Sequence, residues 1–126
     1  MEIGEGFVLI GEQERQSPTQ LAKAEPGRGV VVEQVLFAEV EPWQKGDAVG
    51  ELHALCTRTH GDEALCHVVL RFGDGDTMTA AGMLPIGDPS FGAGSLTVTG
   101  GTGGLRRVQG ELMVEVTNPK RWIMIP

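Results

Sequence analysis

The sequence is 126 residues long, 40% hydrophobic and 21% charged, with a formal net charge of −7. That length supports one domain, residues 1–126, with a modest core. The acidic balance argues against nucleic acid, whose phosphates are bound by clustered lysine and arginine, and no apolar run approaches the length of a membrane helix. The opening "MEIGEGFVLIGEQERQ" carries glutamates where a secretion signal needs basic residues, so a cytoplasmic protein is expected.

Glycine is abundant, at 19 residues, and tyrosine is absent. Glycine at that density between short apolar stretches is the composition of an all-β chain with many tight turns. In chain order, "FVLI" (7–10) is a short apolar strand, and "GVVVEQVLFAEVEP" (29–42) is a valine-rich one that stops at a proline. "AVGELHALCTRT" (48–59) runs to the turn "HGDE", and "ALCHVVLRF" (64–72) runs back. After "GDGD" come "TMTAAGML" (77–84), "GSLTVT" (94–99), "RRVQGELMVEV" (106–116) and, beyond "TNPK", "RWIMI" (121–125). About eight strands at roughly ten-residue spacing predict an antiparallel barrel or sandwich. Only "SPTQLAKAEPG" (17–27) reads as helical: Ser17 suits the N-cap, Pro18 the first helical position, and Pro26-Gly27 a stop.

Two strands are apolar on both faces. In "ALCHVVLRF", Cys66, Val68, Leu70 and Phe72 share one face, while Leu65 and Val69 share the other with His67 and Arg71. "WIMIP" has no polar face. A strand apolar on both sides must be covered twice, so a homo-oligomer, dimer or trimer, is expected.

Residues 95–111, "SLTVTGGTGGLRRVQGE", hold five glycines. A phosphate loop needs a lysine and a hydroxyl after its last glycine, and here leucine and arginines follow. The dinucleotide pattern fails too, because Arg106 stands at its third glycine and no helix opens there. A sharp corner between two strands is the expected structure. Cys56 and Cys66 lie equidistant from Gly61 and so face each other across a hairpin. In an oxidising compartment they would form a disulfide; in a cytosol they are two thiols packed as small apolar groups, the expectation here. His53 and His67 complete a tempting zinc set, but His53 has opposite parity to Cys56, and His67 to Cys66. No metal is expected. There is no nucleophile-elbow motif. A barrel of about eight strands just holds one small ligand, so some of the aromatics can line its mouth.

"LTVTGGTGGLRRVQGELMVEV" after "CTRT…CHVVLRFGDGDTMTAAG" resembles the allene oxide cyclase barrel family, which includes the plant dirigent proteins. "EQERQSPTQL" (12–21) resembles the E-x-D-R-x-S-P segment of plant allene oxide cyclase, and "VGELHALC" (49–56) its V-G-x-x-x-G-L-C strand. The resemblance implies an all-β fold, an eight-stranded antiparallel barrel with an apolar pocket shaped to its substrate. Ser17, Pro18 and Cys56 match the family's positions. Leu9 and Gly11 stand where plant members carry the glutamate and asparagine thought to assist ring closure.

What remains is an apolar barrel stripped of that polar assistance, similar to the ring-forming polyketide cyclases on this fold, including [4+2] cyclases. The expected function is therefore a cyclase that uses no cofactor and acts on a linear unsaturated polyketide-like substrate, with residues 12–28 as a lid or rim. His53, Glu33 and Cys56 are the candidate catalytic groups. Leu9, Ser17, Pro18, Phe37, Trp43 and Cys56 are expected to bind substrate, together with Met78, Met83, Phe91, Trp122 and Met124. The alternatives are a lipocalin-like binding barrel and a dirigent-like steering protein.

Overall fold

The computed structural model describes residues 7–16, 24–42, 44–86, 91–115 and 120–125, with backbone alone at 13–16. Eight strands form one closed barrel: β1 (Phe7–Gln16), β2 (Gly29–Glu41), β3 (Gln44–Arg58), β4 (Glu63–Phe72), β5 (Thr77–Pro85), β6 (Gly94–Gly101), β7 (Glu111–Glu115) and β8 (Lys120–Ile125). Each pairs antiparallel with its neighbour in sequence, and β1 closes the sheet against β8 from Phe7 opposite Met124 to Gly11 opposite Lys120. The expected all-β eight-stranded barrel is the fold. Among the described residues no helix is long and apolar enough to cross a membrane.

Period-two alternation builds this barrel, because successive side chains of a strand point to opposite faces. In β4, Ala64, Cys66, Val68, Leu70 and Phe72 are buried, and the residues between them are exposed. The inward rows of β2 (Val30, Val32, Leu36), β3 (Leu52, Ala54, Cys56) and β8 (Trp122, Met124) join them in one core.

The glycine stretch is the corner between β6 and β7. Gly103 adopts φ +59 and opens a 3-10 turn, Gly103–Leu105, that buries Leu105. A Cβ on Gly101 would strike the carbonyl oxygen of Leu105 and come within 2.8 Å of that of Thr77, so three backbone segments meet where only hydrogen fits. The Asp76 carboxylate accepts the Gly104 N–H at 3.0 Å. An amide that a phosphate loop would turn to its ligand is thus taken by the chain's own anion. The turn also delays β7, which starts at Glu111 instead of the expected Arg106.

One further expectation is corrected. Cys56 and Cys66 are paired in register with Cα atoms 4.1 Å apart, both point inward, and they are joined as a disulfide instead of packing as two thiols. Of the segment 12–28 expected as a lid or rim, residues 12–16 are the end of β1. Ala24–Arg28, the described end of the helical reading, contains a turn closed by the Arg28 N–H on the Glu25 carbonyl; residues 17–23 lie outside the described residues.

Gly103→Ala forces a side chain into a positive-φ site and into the Asp76 carboxylate. It should lower the unfolding free energy by about 1–3 kcal/mol in urea titration, and an unchanged midpoint would contradict the packed corner.

Candidate functional site

Two polar side chains are buried among the described residues, Gln34 at 2% exposure and Lys120 at 3%. A buried polar group is the informative exception in a barrel lined by Leu, Val and Met. Gln34 stands on the inward row of β2 between Val32 and Leu36. Its Oε1 accepts the Trp122 indole N–H at 2.9 Å. Gly11, on β1 between those two strands, makes room for the pair. A Cβ there would collide with Gln34 Oε1 and lie 2.9 Å from Trp122 Nε1.

The file continues along β8. Trp122 meets Phe91 edge-on, with ring centroids 5.8 Å apart. Lys120, two residues before Trp122 on the same face, donates from Nζ to the Phe91 carbonyl at 2.9 Å and sits 4.8 Å above the Phe91 ring. A carbonyl and a π face together support a buried ammonium. With one lone pair of its oxygen held by the indole, Gln34 has a second lone pair and two amide N–H groups besides. The interior therefore holds apolar walls, aromatic edges, a buried amide and the Lys120 ammonium.

The predicted site residues divide between the two faces. Leu9, Cys56, Met78, Phe91, Trp122 and Met124 are buried in the barrel core. Phe37 and Met83 are not: Met83 is 43% exposed, and Phe37 lies outside the core cluster under Lys45 Nζ, 4.5 Å from its ring. Phe37 has the parity of Val31, Glu33 and Val35, the outward row of β2. Ser17, Pro18 and Trp43 lie outside the described residues.

The titratable candidates are also displaced. His53 and Glu33 have the outward parity of β3 and β2, so the inward placement expected of them is corrected. His53 Nε2 lies 2.9 Å from Glu51 Oε2, and its Nδ1 lies 3.5 Å from Glu33 Oε2. Glu51 also accepts from Arg71 Nη2 at 3.0 Å. The His53 hydrogen bond, followed by that of Arg71, holds the Glu51 carboxyl below its ordinary value. Its contribution to stability is therefore present above the ordinary carboxylate range and is lost as pH falls through the lowered value. Cys56 does face inward, but its sulfur is bonded to Cys66 and is no free nucleophile.

Neither a protein-family model nor a curated protein sequence matches the chain. Two solved structures share its architecture. Pyocyanin demethylase superposes with a TM-score of 0.74 at 18% identity, over 95% of this chain and 98% of its own. The shared fold is the closed eight-stranded antiparallel barrel. The pterocarpan synthase dirigent protein GePTS1 superposes with a TM-score of 0.59 at 17% identity, over 94% of this chain and 80% of its own. At these identities the likeness is one of fold.

Gln34, Lys120 and Gly11 were not among the predicted site residues, yet parity marks two of them. Gln34 falls on the apolar row of "VVVEQVLF", and Lys120 shares the face of Trp122 and Met124 in "KRWIMI". Trp122→Phe keeps the ring but orphans the Gln34 oxygen, and should cost about 1–3 kcal/mol of stability by urea unfolding. Adding Gln34→Leu should regain most of that loss, because both polar partners are then gone. A double variant no more stable than the single one would mean that the pair is not an isolated internal hydrogen bond.

Proposed function

We propose that the protein is a barrel enzyme that uses no cofactor and closes a ring in a linear, unsaturated, polyketide-like molecule held inside the barrel. The Gln34–Trp122 pair carries this reading, because it sets a buried amide, held through its oxygen by the indole, among apolar and aromatic walls. Met78 and Met124 are the unbranched side chains whose rearrangement admits the ligand. A pericyclic or conjugate closure needs the reacting ends brought together more than it needs an acid and a base. Holding them in a near-attack geometry supplies effective molarities of about 10⁵ M or more. The Gln34 amide would polarise a carbonyl of the substrate, and Trp122 and Phe91 would set the fold of its chain.

A steering or carrier role is the second reading. It is favoured by the position of His53 and Glu33 on the outer face and by the bonding of Cys56, which leave the interior without those acid–base groups. The neighbouring structures, a demethylase and a dirigent protein, are compatible with either role.

The deciding experiment deletes the gene in its host, isolates the compound that accumulates and incubates it with the purified protein alone. A new chromatographic peak of unchanged mass is the expected result, with turnover reduced at least tenfold in Gln34→Leu. Binding without a new peak would make the barrel a carrier. A product that appears only when an external oxidase is added would make it a steering protein.

A further inference from the structure

Among the described residues, Lys120 is the one buried charged side chain on the inner face of the barrel. Lysine is almost never fully buried without a partner for its charge, and closing a ring in a neutral chain has no use for one there. Its contacts are those of an ammonium. Nζ donates to the Phe91 carbonyl at 2.9 Å and lies 4.8 Å from the centre of that ring.

The register ties Lys120 to the amide. Gly11 on β1 is paired with Lys120 on one side and on the other with Leu36, two residues beyond Gln34. Over Gly11, where a side chain would stand, lie the Gln34 oxygen and the Trp122 indole nitrogen. Ammonium and amide therefore flank one strand of the same wall, linked by the rings of Phe91 and Trp122.

We infer that Lys120 binds an ionised oxygen of the substrate, so that the molecule folded in the barrel is an acid, either a carboxylate or an acidic enol. The inference rests on the interior chamber proposed above. An anionic oxygen in place of the Phe91 carbonyl adds a charge-to-charge attraction to the hydrogen bond, little screened in the low dielectric of the core. Lys120 is already out of water, so only the incoming anion has to be dried. A cationic ligand is repelled by the same ammonium, and a neutral one offers only what the Phe91 carbonyl already supplies. The net charge of −7 opposes an anion at long range, where salt screens it within about 10 Å; Lys120 acts at contact. The acidic head also sets direction: the unsaturated chain runs from Lys120 past Phe91 and Trp122, and a second oxygen meets Gln34.

The test titrates three small probes into protein carrying isotope-labelled lysine: sorbate, methyl sorbate and dimedone, whose enol is ionised at neutral pH. Lys23, Lys45 and Lys120 are the three lysines, so the signals are few. At least one acid should bind tenfold tighter than the ester and shift the Lys120 signal while Lys45 stays in place. Sorbate alone would mark the head as a carboxylate, dimedone alone as an enol. In Lys120→Met, similar in length and uncharged, acid affinity should fall at least tenfold and ester affinity stay within twofold. Equal affinities for acids and ester, no binding of any probe, or a preference that survives in Lys120→Met overturns the inference. If that variant does not fold, the wild-type preference and the Lys120 signal decide. The cyclase reading fails separately: an acid preference lost in Lys120→Met, with no product from the accumulated compound, keeps the anion site and removes the cyclase. Product formed as fast by Lys120→Met does the reverse.

Discussion

Closure of the sheet is the constraint on which the rest of this structure depends. A sheet of eight strands that stayed open would expose two edges; pairing β1 with β8 removes both and turns alternation into a division between inside and outside. The seam is reinforced from without. Arg121 on β8 reaches across β1 to grip both carboxylate oxygens of Glu39 on β2, at 2.6 and 2.9 Å, and touches Glu115 on β7 at 3.3 Å. The Glu39 hydrogen bond holds the Arg121 guanidinium above its ordinary value.

The division decides what chemistry each face can do. The outer face collects the titratable groups into the Glu33–His53–Glu51–Arg71 cluster, flanked by exposed Leu and Val. The inner face keeps the Gln34–Trp122–Phe91–Lys120 file and the disulfide. Among the described residues, Lys120 is the one buried charged side chain on the inner face, and the rest of that face is packed core.

Much of this was legible in the sequence. The alternation of "ALCHVVLRF" placed β4 and its two faces correctly, and the glycine corner was readable because no residue follows that a phosphate loop requires. The failures have physical causes. His53 and Cys56 have opposite parity and cannot both face the chamber; the apolar run of Leu52, Ala54 and Cys56 chooses the inward side. Phe37 was chosen as an aromatic although its parity, opposite to the buried row of Val32, Gln34 and Leu36, puts it on the outer side. Gln34 and Lys120 were passed over because their polarity suggested the surface, whereas the strand period puts them inside. The cysteine pair was read from an assumed compartment, although facing positions on a hairpin already put two sulfurs in reach. Ser17, Pro18 and Trp43 lie outside the described residues, and the reading of them as substrate contacts stands as a proposal.

The central claim, that the functional chamber is the barrel interior, is tested most directly by nuclear magnetic resonance. The compound that accumulates in the deletion strain would be titrated into isotope-labelled protein while the Gln34 side-chain amide and the Trp122 indole N–H are followed. The account predicts that both signals shift with one saturating isotherm while the His53 ring signals stay in place. Shifts confined to His53, Val69 and their outer-face neighbours, with Gln34 and Trp122 unmoved, would contradict it.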